Sequence, residues 1–199
     1  MRVFRLFLGA VVLFASTAFA GQITYFADLS GLSEVPPNAS PGMGFGEVTV
    51  DTGANTLFIS FSFSDLLGTT TASHIHCCTA VPDVGSAGVA TQVPYFVGFP
   101  IGVTSGTYSH TFDLTDSATY NPAFVTAQGG VVANAETALL NGIAAGKAYL
   151  NVHSTVDPGG EIRGYLQPTP EPATFFMAGA ALAALAWRRR RRSFPRSTL

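Results

Sequence analysis

The sequence predicts a mainly β protein: a single antiparallel β-sandwich domain with one short helix, flanked by an N-terminal signal peptide and a C-terminal hydrophobic helix. Three observations carry this prediction. Apolar and polar residues alternate at period two through most of residues 21–168, as they do on half-buried strands. Clusters of Gly, Pro, Asn and Asp separate the alternating runs, which is hairpin and turn chemistry. Short apolar runs with arginines beside them stand at both ends. The length of 199 residues, 47% of them hydrophobic, suits one domain with a real core.

Residues 1–20 begin with Arg2 and Arg5, continue apolar from Leu6 to Phe14, and end in Ala18, Phe19 and Ala20. This is the layout of a secretory signal peptide, with cleavage expected between Ala20 and Gly21. The domain of residues 21–168 then opens with a candidate strand over Gln22–Leu29. Phe45–Val50 and Leu57–Ser64 form an expected hairpin, joined by the turn residues Asp51 to Asn55. Further strands are expected over Ala72–Cys78, Thr107–Leu114, Ala148–Thr155 and Glu161–Gln167, the last two linked by a turn at Asp157 to Gly160. Val131 to Ala145 breaks the alternation. Ala135, Leu139, Leu140 and Ile143 fall at helical spacing there, with Gly146 as a stop. Pro82 to Gly106 is rich in Gly and Pro and reads as a long loop.

Residues 169–199 form a third unit. Pro170, Glu171 and Pro172 precede the apolar run 173–187 and the arginine block Arg188 to Arg192. As a helix that run is about 22 Å long, and the arginines stay cytoplasmic by the positive-inside rule. The chain is therefore expected to sit in the inner membrane through residues 173–187 before processing. A PEP triplet, a short apolar helix and an arginine cluster, in that order, resemble the PEP-CTERM sorting signal of Gram-negative bacteria. The resemblance implies handling by exosortase-type machinery. It also implies export to the periplasm, cell surface or extracellular matrix.

Charge excludes one class of partner. Between Gly21 and Pro170 stand only two basic residues, Lys147 and Arg163, against eleven acids, a net charge of −9. Such a domain repels nucleic acid. No nucleophile elbow, phosphate-binding glycine loop or His-Glu-x-x-His motif occurs, so no catalytic residues and no enzymatic activity are expected. Asp157 and Glu161, beside Arg163, read as solvated surface charges or a local salt bridge.

The residues richest in chemistry are His74, His76, Cys77 and Cys78. On a strand His74 and His76 point the same way, their Cα atoms roughly 6.5–7 Å apart. Cys78 continues that face if the strand stays regular, as a weaker candidate ligand. His153 shares a face with Tyr149 and Asn151. If the two strands are neighbours, three nitrogens meet in a donor set that suits copper, zinc or iron. The alternative is that the histidines only hydrogen-bond to backbone or carboxylates. His110 is expected partly buried beside Tyr108 and Phe112. Three states stay open for the cysteines: a vicinal Cys77–Cys78 disulfide, free or metal-bound thiols, or intermolecular pairing.

Ser73 to His76, Gly146 to Ser154 and Pro158 to Leu166 together resemble the CHRD domain, named after the animal protein chordin and found also in exported bacterial proteins. The resemblance covers roughly Gln22 to Gln167. The chain departs from many members in having Cys77 and Cys78 where a small residue follows the first His-x-His. The resemblance implies an extracellular β-rich module, here a non-enzymatic binding or structural protein of the envelope or matrix, with an envelope or extracellular polymer as a candidate partner. A fainter similarity, to copper–zinc superoxide dismutase, lies in a His-x-His strand and a later Val-His strand. It implies His74, His76 and His153 as ligands of copper or zinc, while that enzyme's zinc-loop residues and active-site arginine have no match here.

Overall fold

The computed structural model describes residues 21–169 and, beyond them, Gly179 alone. The signal peptide up to Ala20, the motif Pro170, Glu171 and Pro172, and the apolar run 173–187 lie outside the described residues. Among the described residues no helix is long and apolar enough to cross a membrane.

The chain is mainly β. Strands run β1 Gln22–Ser30, β2 Met43–Asp51, β3 Thr56–Ser64, β4 Thr70–Cys77 and β5 Gly106–Asp113. Helices α1 Pro122–Ala127 and α2 Val132–Ala144 follow, then β6 Ala148–Ser154, β7 Ile162–Tyr165 and β8 Gln167–Pro168. All pairings between these strands are antiparallel and belong to one sheet of order β4-β6-β7-β1-β2-β3-β5, with β8 on β1.

The β2–β3 hairpin forms where the turn residues demand it. Asp51 Oδ1 accepts hydrogen bonds from the amides of Gly53 and Ala54 at 2.9 Å, and Asn55 takes a positive φ of 52°, which asparagine tolerates. Alternation then puts Leu57, Ile59, Phe61 and Phe63 inward and leaves Phe58, Ser60 and Ser62 outward.

The two layers of the sandwich come from one sheet that curls over itself. A Cβ placed on Gly46 of β2 would lie 2.8 Å from Leu150 of β6, and one on Gly44 would lie 3.5 Å from Ile162 of β7. The two glycines thus let the β6–β7 half close down on the β2–β3 half. Phe96 joins the sheet's ends from the intervening loop, stacking 5.6 Å from Tyr108 of β5 and standing 6.3 Å from the His74 ring of β4. α2 supplies Ala135, Leu139 and Ile143 to the same core.

The expectations need four adjustments. A second helix, α1, is present; Asn121 caps it and Pro122 stands at its start, a signal that was in the sequence. The segment Glu161–Gln167 is two strands, because its first half pairs with β6 and its last residues pair with β1. The strand expected over Ala72–Cys78 ends at Cys77. The loop from Pro82 to Gly106 is not loose. It lays its backbone along the outer edge of β4, with bonds from Cys77 N to Gly88 O and from Ala90 N to Ile75 O, both at 3.0 Å. That cover satisfies an edge strand that would otherwise stay open.

Candidate metal centre

Strand register assembles the centre. β4 and β6 pair so that His74 lies opposite Asn151, Ala72 opposite His153, and His76 opposite Tyr149. Ser73, Ile75 and Cys77 face the core, so the histidines project from the outer face. That face is not open to water. The 31–40 segment, the 79–105 loop and the β6–β7 turn contact it, and His74, His76 and His153 keep only 6%, 7% and 8% of their exposure.

The three rings converge. His74 Nδ1 lies 3.3 Å from His153 Nε2, and His76 Nε2 lies 3.4 Å from the same atom. Each ring's other nitrogen meets a backbone carbonyl: His74 Nε2 at Pro94 O (2.8 Å), His76 Nδ1 at Ala87 O (2.9 Å) and His153 Nδ1 at Pro158 O (3.0 Å). A carbonyl only accepts, so each outward nitrogen carries the proton and each inward nitrogen of a neutral ring presents a lone pair. The contacts between neutral rings are therefore lone pair against lone pair, not hydrogen bonds. Hydrogen bonding accounts for one nitrogen of each histidine and leaves three unpaired.

Protonation does not relieve the crowding. Burial, then the neighbouring His153, pushes His74 down to about 4, against the pull of the Pro94 carbonyl. Burial also takes His76 to about 4 and lowers His153. All three rings are neutral at pH 7, the form that ligates a metal. Two nitrogens bound to one ion at about 2.0–2.1 Å, with angles of ~105–115°, stand about 3.3–3.4 Å apart. His74 Nδ1 and His76 Nε2 each already stand at that distance from His153 Nε2, and all three nitrogens of the cluster lie within 4.8 Å of one another. Its three N–H groups anchored on carbonyls are the outer-shell arrangement that holds ligating imidazoles in place.

Cys78 does not join the cluster. β4 stops at Cys77, and the next residue closes a Cys77–Cys78 disulfide instead of continuing the face. Of the three cysteine states open from the sequence, the structure contains the vicinal one. Its two sulfurs occupy the space a side chain on Gly142 of α2 would need, and Cys78 Sγ stands 3.6 Å from Ala138 O. With both sulfurs bonded to each other, neither is a thiolate donor. His110 is half-buried against Phe112, with ring centroids 4.6 Å apart, and takes no part.

Glu161 requires correction too. It is not a surface charge but fully buried, while Asp157, read with it, is half exposed; the neighbouring Arg163 is 1% exposed. Glu161 accepts from Ser40 Oγ (2.6 Å) and from the amides of Leu67 and Gly68. Arg163 pairs with Glu34 at 3.3 Å, far away in sequence. Its guanidinium lies 4.6 Å from the Tyr149 ring centroid, and Tyr149 stacks on His76 at 4.9 Å. Tyr149 Oη also sits 3.2 Å from both Ala87 N and Ala87 O, bracing the carbonyl that holds His76. Alternation on β6 places Tyr149 and Asn151 on the face of His153 without showing what they contact; Glu34 went unrecognised because it reaches this face from outside the strands and no local motif marks it.

Burial raises Glu34 to about 7, against the pull of Arg163 and of Asn151 Nδ2. A carboxyl with a folded-state value above its ordinary 4.5 keeps its proton in the folded chain after the unfolded chain has lost it. Its stabilisation is present below pH 4.5 and is lost as the pH rises to about 7. Urea midpoints should fall across that window, and the fall should shrink in Glu34→Gln. An unchanged slope in the variant would assign the pH dependence elsewhere.

The CHRD domain pattern matches residues 25–166. The chain belongs to the CHRD domain family. The match spans every described strand except β8 and the first residues of β1, so the three histidines, Glu34, Asn151 and Arg163 all lie within the CHRD domain. The PEP-CTERM protein-sorting motif matches residues 168–191. This motif marks the CHRD protein for export and for recognition by exosortase sorting machinery. Comparisons with curated proteins and with solved structures return no match.

Proposed function

We propose that this CHRD protein is a non-enzymatic binding module of the cell envelope or extracellular matrix whose ligand is one copper or zinc ion, held by His74, His76 and His153. The observation that carries the reading is the set of three buried imidazoles with outward N–H groups fixed on carbonyls and inward nitrogens of His74 and His76 3.3 and 3.4 Å from that of His153. Buried polar atoms are ordinarily paired. A cation at the centre pairs all three at once. The sorting motif supports a location in the periplasm or at the surface of a Gram-negative cell, with the run 173–187 holding the chain in the inner membrane before processing.

The test is metal content by elemental mass spectrometry on the full chain, purified in detergent without a polyhistidine tag and loaded with copper or zinc. About one equivalent is expected in the unaltered chain, and none in His74→Ala or His153→Ala. Circular dichroism checks that the variants stay folded, and His153→Gln serves where His153→Ala does not. Stoichiometric metal retained in the His74→Ala/His153→Ala double variant would sink the reading.

A further inference from the structure

We infer that the ion this centre selects is monovalent copper, Cu⁺, in preference to Zn²⁺ and Cu²⁺. The inference rests on the metal reading above and concerns which ion the three histidines take.

The N···N spacing alone does not choose, since it suits either metal. Charge and donor number do. All three donors are neutral, and among the described residues no carboxylate or thiolate shares the cluster. Both sulfurs that stand next in sequence are consumed in the Cys77–Cys78 bond. The nearby carboxyl of Glu34, in the 31–40 segment, is taken by Arg163 at 3.3 Å and by Asn151 Nδ2 at 3.2 Å. Asp157, in the β6–β7 turn, is half exposed and outside the cluster.

A fixed cation stands on the same face. Arg163 lies against the Tyr149 ring that stacks on His76, and one of its terminal nitrogens, Nη2, is buried without a partner. Ion solvation energy scales with the square of the charge, so moving a dication into this 6–8% exposed site costs about four times as much as moving a monocation. Nothing anionic in the cluster offsets the difference.

Coordination number points the same way. Zn²⁺ almost always takes four ligands, and Cu²⁺ favours tetragonal sets. With three protein nitrogens either ion needs a further ligand from outside. Cu⁺, a d¹⁰ monocation, is satisfied by three nitrogens.

The experiment uses the full chain in detergent, without a polyhistidine tag and without oxygen. It is titrated with Cu⁺ supplied as its acetonitrile complex against a chromophoric Cu⁺ chelator, and separately with Zn²⁺. The expected result is one Cu⁺ per chain, held at least about 10³-fold more tightly than Zn²⁺. Copper-edge X-ray absorption is expected to show Cu⁺ with three nitrogen neighbours. Binding should survive in Cys77→Ser/Cys78→Ser and vanish in His153→Ala. One Zn²⁺ per chain, dependent on His153 and displacing Cu⁺, overturns the inference and leaves the metal reading intact. A fourth neighbour to copper overturns it as well. Cu⁺ lost in the cysteine variant but kept in His153→Ala moves the site to the sulfurs and overturns both, as does binding of neither ion.

Discussion

Arg163→Met is expected to cost the metal-free chain about 3–5 kcal/mol in urea denaturation. The side chain is 1% exposed and ties three parts of the molecule together. Nε donates to Ser33 O at 2.7 Å and lies 3.3 Å from Glu34 Oε2; Nη1 donates to Gly85 O at 3.1 Å and reaches Ser86 Oγ at 3.3 Å. Methionine fills much of the volume but leaves Ser33 O without its donor and Glu34 Oε2 without its cation, while Gly85 O keeps Tyr165 Oη and Glu34 Oε1 keeps Asn151 Nδ2. The severity comes from those stranded groups more than from the lost attraction. The double variant Glu34→Leu/Arg163→Met should therefore lose less than the sum of its single changes. Strict additivity would show that Arg163 acts through its backbone partners and not through Glu34.

Leu150→Ala is expected to cost about 2–5 kcal/mol, measured in the same way. Leu150 is fully buried on β6, one residue before Asn151 and on the opposite face from the histidines. It extends across the core to the place where Gly46 of β2 has no side chain. Truncation removes apolar contact and leaves a void between the two halves of the curled sheet. Gly46→Ala alone should also destabilise, because its Cβ would sit 2.8 Å from Leu150 Cδ2. Combined with Leu150→Ala that same methyl enters the void, so the double variant should be more stable than Leu150→Ala alone. A purely additive double variant would mean that the two halves do not meet at this point. Because β6 also carries His153, loss of metal affinity in Leu150→Ala is expected to track the loss of stability.

Period-two alternation was enough to place the strands and the faces of His74, His76 and His153. It works because a strand sends successive side chains to opposite faces regardless of its partners. The Asp51–Asn55 turn and the α2 helix were legible for the same reason: dihedral preference and i, i+4 spacing act over a few residues. Asp157 and Glu161 read as solvated surface charges or a local salt bridge, yet Glu161 is buried, since burial of a charge depends on what covers it, and the cover here comes from Ser40 and the Leu67 and Gly68 amides. Cys78 was placed on the histidine face by extending a strand that stops one residue earlier.

The sequence by itself determined a single β-rich CHRD domain, an exported chain bearing a sorting motif, and two histidines on one strand face with a third elsewhere. Those properties are written in short stretches of chain, where composition and local geometry suffice. Only the tertiary structure decided that β6 lies beside β4 in a register that brings His153 to both other histidines. It alone supplied the Pro94, Ala87 and Pro158 carbonyls that turn the lone pairs inward, and the pairing of Arg163 with Glu34. Those are contacts between residues distant in the chain, and they exist only after loops and strands close over a common core.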